Sequence, residues 1–329
     1  MIDMVLVAVG GAVLCWLVVR ARLLFARSGL DLPGHRSLHS APVPHGGGLG
    51  IVVAALAACL WLEVAICWPI AILILALVSM LDDAIHLPFW VRLAVHLGVA
   101  TYVLLQVENG VPTWLLLALI LLIAWATNAY NFMDGADGLA GSMAATGFGA
   151  YGLAFSSAGQ YELAGVCAAV AGASMAFLRY NWHPAKVFSG DVGAIPLGFM
   201  AGALGVYGVL HEIWPAWFPL IVFAPFLADA TVTLLRRALR GERVWEAHRE
   251  HYYQRMVLMY GRHDRMCKQW ILLMLSGAVL GLVMLWYAKW LGLCALLAWS
   301  AVVLLLGVRV DRRWRAHADG KHRSALRME

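Results

Sequence analysis

Two asparagines and two aspartates recur at intervals of three residues directly after a strongly apolar segment. They are Asn128, Asn131, Asp134 and Asp137, in the stretch NAYNFMDGADGLAGS. An ionisable side chain at membrane depth is costly, so each of these residues is a candidate for function. Carboxylate and amide oxygens are ligands of hard divalent cations, which share their coordination with substrate phosphates. The spacing therefore indicates phosphate chemistry assisted by a metal ion.

The two Asp-Gly pairs of this stretch predict that a helix ends there. A step of three residues on an α-helix leaves a lag of about 60°, so Asn128 and Asn131 share one face. Asp137 would lie on the opposite face if the helix continued, whereas Gly135 and Gly138 favour its termination. The chain then folds back and directs amides and carboxylates into one pocket. An ordinary turn is the alternative, and it explains tandem Asp-Gly pairs less well than a single one.

A second glycine-flanked aspartate stands in KVFSGDVGAIPLGF, where Gly190 and Gly193 enclose Asp191. The glycines predict a turn at the start of a helix, with the carboxylate at its mouth. Hard oxygen ligands of this kind suit Mg²⁺, which keeps several waters and binds substrate phosphates, and Mn²⁺ is the alternative. Zinc is less favoured because no cysteine or histidine set has zinc-ligand spacing.

Further acidic and cationic residues stand at the ends of apolar segments. Asp82 and Asp83 end one such segment, and His248 and His251 lie in a long polar loop. A separation of three places both imidazoles on one side of a helix, with Arg249 adjacent. These groups can donate hydrogen bonds to phosphate, which complements an acidic, metal-binding half of the site. The cations of the same loops include Arg36, Arg92, Arg179 and Lys186.

The composition places all of these residues in a membrane protein. Hydrophobic residues make up 62% of the 329 residues, charged residues only 13%, and the mean hydropathy is +0.77. A soluble domain is about one quarter charged, which excludes that class. Apolar runs near ~20 residues predict an all-α, polytopic protein with about eleven transmembrane helices, ten being the alternative. The predicted spans lie near 3–22, 46–62, 66–81, 89–107, 112–130, 138–157, 161–178, 192–211, 215–235, 269–288 and 291–309.

The distribution of basic residues predicts the orientation of these spans. If the N-terminus faces the periplasm, all 24 lysines and arginines except Lys289 fall on the inner side. Basic residues are retained in cytoplasmic loops, so the asymmetry predicts a periplasmic N-terminus and a cytoplasmic C-terminus. All the candidate aspartates, asparagines and histidines then lie at the cytoplasmic face. A helix cap explains any one of them, but not their convergence on one face.

No long linker, low-complexity tract or second domain interrupts the chain, so residues 1–329 are predicted to form a single transmembrane domain. The candidate residues are assigned to its cytoplasmic loops, which precede a cytoplasmic tail. The loops span 26–45, 82–90, 128–138, 180–192 and 237–268, and the tail spans 310–329.

Five sequence motifs together resemble one family of membrane enzymes. They are DLPGHRSLHSAPVPHGGGLGI (31–51), LDD (81–83), NAYNFMDGADGLAGS (128–142), VFSGDVGAIPLGF (187–199) and AHREHYYQR (247–255). In this order they resemble the motifs of the polyprenyl-phosphate N-acetylhexosamine-1-phosphate transferases, glycosyltransferase family 4. The form HREHYYQR looks most like the branch that initiates O-antigen synthesis on undecaprenyl phosphate.

The resemblance implies a reaction at the bacterial inner membrane. A UDP-N-acetylhexosamine donor gives its sugar-1-phosphate to undecaprenyl phosphate, UMP leaves, and O-antigen or another cell-envelope polysaccharide is started. Magnesium is the implied cofactor. The implied partners are the donor, the lipid acceptor and membrane lipids, without nucleic acid, and a homodimer is left open.

The motifs carry family roles onto individual residues. Asn131 and Asp191 match the metal ligands, and Asp82 and Asp83 match the acidic pair that handles the acceptor phosphate. Which of that pair acts as a base is left open, and Asp134 completes the implied catalytic set. The residues that match substrate-binding positions are Asn128, Asp137, Lys186, His248, Arg249 and His251.

One departure from the family pattern bears on the sugar. Many relatives carry a His-x-His-His cluster, whereas this chain has HREH, with Arg249 in place of one imidazole. A permanent cation at that position is expected to alter sugar choice. A 6-deoxy sugar such as N-acetylfucosamine or N-acetylquinovosamine is the interpretation, and UDP-N-acetylglucosamine is the alternative donor.

Three other protein classes fit the sequence less well. A transporter or flippase requires charges near the bilayer midplane, where Asp229 is the main acidic residue, interpreted as an ion pair with Arg236 or a loop anchor. A CDP-alcohol phosphatidyltransferase requires Asp-Gly-x-x-Ala-Arg, and no arginine follows Asp134 or Asp137 at that spacing. An inactive scaffold would not need every acidic position of the family to be filled.

Overall fold

Thirteen α-helices dominate the described part of the chain. The computed structural model describes residues 3–24, 29–34, 38, 41–107, 110–244, 246 and 248–325. The helices are α1 Met4–Leu24, α2 Leu49–Trp61, α3 Cys67–Ile85, α4 Phe89–Val107, α5 Thr113–Phe132, α6 Leu139–Ser157, α7 Tyr161–Asn181, α8 Asp191–Leu210, α9 Trp217–Val222, α10 Ala224–Leu239, α11 Tyr252–Tyr260, α12 His263–Tyr287 and α13 Gly292–Ala325. A 3-10 turn, Lys289–Leu291, precedes α13, and a short antiparallel pair, β1 Leu30–Asp31 with β2 Val43–Pro44, precedes α2.

The predicted all-α, polytopic class is confirmed. Among the described residues, eight helices are long and apolar enough to cross a membrane. The other predicted spans also have helical counterparts, but α2 is only 13 residues long. At 1.5 Å per residue it covers about 20 Å, less than the ~30 Å of a hydrocarbon core. The count of eleven spans and their orientation stay predictions.

The prediction of one continuous span at 215–235 is wrong. The structure has two helices there, α9 and α10, which meet at Phe223 with φ −98° and ψ 8°. Pro225 stands in the first turn of α10, where its missing N–H is tolerated. In a continuous helix the same ring would clash with the carbonyl of Ile221, four residues earlier. The break therefore follows from the proline.

Close packing of α5 on α8 brings the asparagine motif to the glycine-flanked aspartate. The sequence GFMAG in α8 carries Gly198 and Gly202. A Cβ on Gly198 would lie 2.8 Å from the carbonyl oxygen of Thr127, and one on Gly202 would lie 2.9 Å from Cβ of Ala126. Small residues four apart allow helix backbones to approach closely in a membrane. The crossing places the end of α5 beside the start of α8.

Backbone hydrogen bonds join the N-terminal motif to the segment before α8. The N–H of Gly47 donates to the carbonyl of Phe188 at 2.8 Å, and the N–H of Phe188 donates to the carbonyl of Pro44 at 2.8 Å. His45 lies between Pro44 and Gly47 in the chain, so these bonds fix it near the start of α8. Arg36, a cation predicted from the same motif, lies outside the described residues.

The predicted tail 310–329 is helical as far as it is described, because α13 continues to Ala325. Asp311 on this extension accepts hydrogen bonds from Arg236 at 2.7 Å and from Arg255 at 2.8 Å. The extension of α13 is therefore fastened to α10 and α11, the helices that flank the HREH loop.

Candidate active site

A cavity of about 510 Å³ collects several of the predicted site residues at one end of the helix bundle. The predicted residues on its wall are Asn131, Asp134, Asp137, Asp191 and His248. Residues that the sequence analysis did not assign to the site also line it, among them Asn181, Phe188, Gln254 and His263. Segments far apart in the chain therefore meet at one place, as the convergence argument predicted.

An oxygen-only group stands on this wall, formed by Asn131, Asp134 and Asp191. Burial, and after it the charge of Asp191, raises the pKa of Asp134 well above its usual range. The Asn131 amide lies against the Asp191 carboxylate, which also lies within the electrostatic influence of Asp83 and Arg92. A divalent cation relieves repulsion between neighbouring carboxylates, and an all-oxygen donor set suits Mg²⁺. The residues present therefore fit such an ion.

Asp82 and Asp83 have different partners although they are adjacent in sequence. Asp82 is 8% exposed and accepts hydrogen bonds from Arg92 at 2.8 Å and from the N–H of Leu87 at 2.6 Å. Asp83 lies 3.5 Å from Nδ1 of His45. That hydrogen bond, partly offset by burial, raises the pKa of His45 above its usual value. One carboxylate is thus fixed by a permanent cation and the other by a titratable one.

Four of the six predicted substrate-binding residues do not line the cavity, and two of these, Asn128 and Lys186, lie outside the HREH loop. The Asn128 amide donates to the carbonyl of Ala124 at 2.7 Å and lies 3.2 Å from Nδ1 of His96. Asn131 lines the cavity, so the two asparagines do not both face it, although their spacing predicted a shared face. Lys186 is exposed beside the segment that leads to α8.

Two histidines from distant parts of the chain hold the Asp137 carboxylate. Nδ1 of His183 lies 2.6 Å from Oδ2, and Nδ1 of His263 lies 3.3 Å from Oδ1. The N–H of Ala185 donates to Oδ2 at 3.2 Å. Burial acts to raise the pKa of Asp137, but the contacts with His263 and His183 and the hydrogen bond from the N–H of Ala185 lower it overall. The group therefore remains a carboxylate at neutral pH.

The ligand atoms of Asp137, His183 and His263 lie within 4.8 Å of one another, which is close enough to hold a metal ion. However, Nδ1 of His263 accepts a hydrogen bond from the N–H of Asp137 at 3.1 Å, and Nε2 lies 3.1 Å from the carbonyl of Leu38, to which it donates. Both ring nitrogens are engaged by the backbone, so we interpret the group as a hydrogen-bonded clamp on Asp137. The sequence analysis missed both histidines because each stands alone in the chain.

Asn181 joins the two acidic motifs and was also missed. Its side-chain oxygen accepts a hydrogen bond from the N–H of Gly138 at 2.9 Å, and its amide donates to the carbonyl of Val187 at 2.9 Å. Gly138 has φ 77°, a left-handed conformation that glycine adopts readily, and it ends the loop before α6. A polar amide at the end of apolar α7, shortly before VFSGD, was the available signal.

His248 is a neutral hydrogen-bond donor on the cavity wall. Burial, with the charges of His251 and Arg237, lowers the pKa of His248 to about 4. Its Nδ1 accepts a hydrogen bond from the N–H of Glu250 at 3.3 Å. The neutral ring therefore carries its proton on Nε2, which can donate to an anionic oxygen.

The prediction that His248 and His251 share one helix face is wrong. The HREH sequence precedes α11, and His251 is the residue that caps this helix. The two rings nevertheless lie 4.8 Å apart. His248 lines the cavity, whereas His251 is 3% exposed and stands behind the wall. Arg249 does not line the cavity, but it donates a hydrogen bond to the carbonyl of Gly34, which does, at 3.2 Å.

A family model matches the part of the chain that builds most of this site. Residues 65–209 match glycosyl transferase family 4. The match covers less than half of the chain and shows similarity to that family. The family 4 segment contains every acidic site residue from Asp82 to Asp191, and the HREH loop lies beyond it. The eight apolar helices among the described residues make the protein a multi-pass membrane protein.

The proteins that the chain resembles are bacterial and are named as transferases. A probable undecaprenyl-phosphate N-acetylglucosaminyl 1-phosphate transferase of Bacillus subtilis (strain 168) is 27% identical over 265 residues, which is 74% of each chain. The phospho-N-acetylmuramoyl-pentapeptide-transferase of Geobacillus thermodenitrificans (strain NG80-2) is 34% identical over 142 residues, 42% of each chain. That of Geobacillus sp. (strain WCH70) is 39% identical over 132 residues, 40% of this chain and 35% of the relative. The match thus covers less than half the length of the latter two relatives.

Proposed function

We propose that this protein transfers N-acetylhexosamine-1-phosphate from a UDP-sugar to undecaprenyl phosphate and releases UMP. The observation that carries the proposal is the cavity, whose wall contains both the oxygen-only group of Asn131, Asp134 and Asp191 and hydrogen-bond donors such as His248. Such a site can bind a metal ion and several phosphates together. The names of the relatives, which describe transfers of phosphorylated N-acetyl sugars, support the same class of reaction.

Magnesium is part of the proposal, with Mn²⁺ as the alternative ion. Asn131 and Asp191 would hold it, beside Asp134, because these residues offer only oxygen ligands. When bound, the ion would neutralise phosphate charge and polarise the group that is transferred.

In the proposed mechanism Asp82 and Asp83 position the acceptor. A phosphate monoester has its second pKa near ~6, so most of the lipid phosphate is already deprotonated at pH 7 and positioning matters more than proton removal. Arg92 holds Asp82 at 2.8 Å and offers its positive charge to the incoming phosphate. An oxygen of the acceptor phosphate forms a bond to the phosphorus that carries the sugar. The bond from that phosphorus to the UMP oxygen then breaks.

Asp137 and the HREH loop serve the UDP-sugar donor in this proposal. Asp137, kept ionised by its histidine clamp, can accept hydrogen bonds from the nucleoside. His248 donates through Nε2–H to a donor phosphate oxygen without adding charge, while Arg249 supplies a permanent cation. Because one hydrogen-bond donor is charged (Arg249) and the other is neutral (His248), the two can discriminate between sugars and between diphosphates.

The donor sugar is proposed from the HREH loop. A 6-deoxy-N-acetylhexosamine, with O-antigen as the polysaccharide that is started, is supported by the arginine in place of an imidazole. UDP-N-acetylglucosamine is the second candidate, supported by the name of the Bacillus relative, which covers most of both chains. The proposed location is a bacterial inner membrane, with the cavity at the cytoplasmic face.

The decisive experiment uses the purified full-length protein in lipid nanodiscs with undecaprenyl phosphate and magnesium. UDP-N-acetylglucosamine, its 6-deoxy analogues, UDP-N-acetylgalactosamine and UDP-N-acetylmuramoyl-pentapeptide are offered separately, and UMP release is measured. We expect UMP and a lipid-linked diphosphate sugar with at least one of the N-acetylhexosamine donors, and neither product when the acceptor is omitted. UMP release with none of the donors would refute the proposed function.

A further inference from the structure

Asp229 on α10 is a buried carboxylate that the proposed reaction does not use, with an exposure of 2%. Its Oδ1 accepts hydrogen bonds from the hydroxyl of Thr233 at 3.0 Å, Nδ1 of His251 at 3.1 Å and the N–H of Tyr252 at 3.0 Å. Its Oδ2 accepts one from the N–H of Tyr253 at 3.1 Å. A carboxylate is stable in such a position only when it has partners of this kind.

These bonds fix the start of α11. The first N–H groups of a helix have no partner within the helix, and a negative charge there is also favoured by the helix dipole. Asp229, on another helix, supplies both the hydrogen-bond acceptors and the negative charge. It accepts hydrogen bonds from the N–H groups of Tyr252 and Tyr253. Gln254 completes the arrangement, since its Oε1 accepts the N–H of His251 at 3.2 Å.

His251 links Asp229 to the cavity wall. A carboxylate only accepts hydrogen bonds, so Nδ1 of His251 carries the proton that faces Asp229. The His251 ring stacks on Phe132, with centroids 6.3 Å apart, and lies 4.8 Å from the ring of His248. Phe132 and His248 both line the cavity, whereas His251 and Asp229 do not.

A second path runs through Tyr253. Its backbone N–H is held by Asp229, and its hydroxyl donates to the carbonyl of Phe132 at 3.1 Å. Phe132 is the last residue of α5, directly after Asn131. The Asp229 carboxylate therefore fixes both the HREH loop and the C-terminal end of α5, although it does not line the cavity.

We propose that Asp229 is a positioning residue for the donor half of the site, and that His251 transmits its effect to His248. The proposal rests on the proposed function, because the half that is positioned is the wall assigned to the UDP-sugar. The alternative interpretation of Asp229 was an ion pair with Arg236. Arg236 instead pairs with Asp311, at 2.7 Å. Asp229 does not line the cavity but holds His251, Tyr252 and Tyr253, so its loss should change donor binding and leave acceptor binding intact.

The first test compares Asp229→Asn with Asp311→Asn. Asparagine keeps the size of the side chain but replaces one oxygen with an NH₂ group, which cannot accept from His251 or Tyr253. We expect the donor KM to rise about 10-fold or more and the acceptor KM to change less than about twofold. Asp311 holds α10 and α11 from the other side without touching His251, so Asp311→Asn should leave the donor KM unchanged. Equal effects of both variants, or an unchanged donor KM in Asp229→Asn, would overturn the proposal.

The second test separates anchoring from direct contact by His251. The amide of His251→Asn can still donate to Asp229, whereas His251→Leu cannot. We expect the donor KM of His251→Leu to rise, and the donor KM of His251→Asn to stay close to that of the wild type. The double variant Asp229→Asn/His251→Leu should be no worse than either single variant, because both break one link. Additive losses would mean that the two residues act separately and would contradict the proposal.

A measurement without substrate distinguishes this proposal from the proposed function. Amide hydrogen exchange of the segment 248–260 should be faster in Asp229→Asn than in the wild type, even if no UDP-sugar is turned over. Unchanged exchange would overturn the anchor whatever the activity assay shows. If UMP release with the donor panel is absent while exchange is faster, the proposed function fails and the anchor stands.

Discussion

The guanidinium of Arg92 on α4 lies 3.6 Å from the carboxylate of Asp191 on α8. The same nitrogen lies 2.8 Å from Asp82, at the end of α3. One cation therefore joins the aspartate proposed to bind the metal to the aspartate proposed to position the acceptor. Because both carboxylates contact it, the guanidinium fixes the position of Asp82 relative to Asp191.

Replacement of Arg92 tests this bridge. Arg92→Gln leaves Asp82 without its charged partner, and a hydrogen bond to a charged group contributes about 1.5–3 kcal/mol. We expect kcat/KM for undecaprenyl phosphate to fall roughly 10- to 100-fold. Arg312→Gln, which removes the same charge from an exposed position on α13, is the matched control. Equal losses in both variants would show that only the overall positive charge matters.

Asp191→Asn tests the proposed metal site. The amide removes one negative oxygen from the group that includes Asn131 and Asp134, so we expect turnover to fall by at least roughly 100-fold. The Mg²⁺ concentration for half-maximal rate should rise in any residual activity. Magnesium titrations of UMP release, with chelator-treated protein as the baseline, provide the measurement. Rates near those of the wild type at every magnesium concentration would exclude Asp191 as a ligand.

The contact between His45 and Asp83 predicts a pH dependence. The hydrogen bond to Asp83 raises the pKa of His45, so the imidazolium persists above the usual value near 6.5 and is lost as pH rises through the raised pKa. Loss of that charge leaves Asp83 unneutralised next to the acceptor phosphate. We expect kcat/KM for the acceptor to fall as pH rises through the raised pKa of His45, above about 6.5, and His45→Gln to flatten this limb.

A second histidine is the control for that profile. The pKa of His248 is lowered to about 4, so this residue does not titrate in the range of the assay. His248→Asn should lower activity at every pH and leave the shape of the profile unchanged. A flattened limb in His248→Asn but not in His45→Gln would show that His248 titrates in this range, and would contradict the role of His45.

Much of the candidate site could be predicted from local sequence. Asn131, Asp134, Asp137 and Asp191 follow or precede apolar runs, and the three aspartates stand beside glycines, so their position at a helix end is encoded within a few residues. Charge asymmetry then predicted that all of them lie on one side of the membrane. The structure brings them to one cavity because α5 crosses α8 closely.

The remainder depends on tertiary packing that no local pattern reveals. His183 and His263 meet at Asp137 only because the loop after α7 and the start of α12 converge there. His251 was assigned to a helix face since a step of three fits a helix, but the chain reaches helical geometry only at Tyr252. Asn128 turns toward His96 because α4 packs on α5 at that level. Each case required knowledge of a distant neighbour.

The role of Arg249 in sugar choice is tested by restoring an imidazole. Arg249 donates to the carbonyl of Gly34 across the cavity wall, so its guanidinium bridges two segments near the donor. Arg249→His shortens the side chain and removes a permanent cation. We expect the ranking of UDP-sugars by kcat/KM to change, with all donors measured under one set of conditions. An unchanged ranking, at whatever overall rate, would mean that Arg249 does not select the sugar.

The last prediction concerns the packing of α1 on α7, where Gly172 lies against Ala8. A Cβ on Gly172 would overlap the carbonyl oxygen of Ala8, whereas a Cβ on Gly10 would meet nothing within 4 Å. Both glycines lie inside helices, so substitution by valine has a similar effect on helix propensity at each position. The difference between the variants therefore isolates the contact between the helices.

We expect Gly172→Val to destabilise the protein by about 1–3 kcal/mol, the usual cost of overpacking, and Gly10→Val to have little effect. Five of the six cysteines are buried, so a thiol-reactive dye reports unfolding in detergent with Cys294 as a constant background. The midpoint of the thermal transition should fall in Gly172→Val alone. Equal midpoints in the two variants would show that α1 can move away from α7 without loss of stability, and that the glycine is not needed for the close approach.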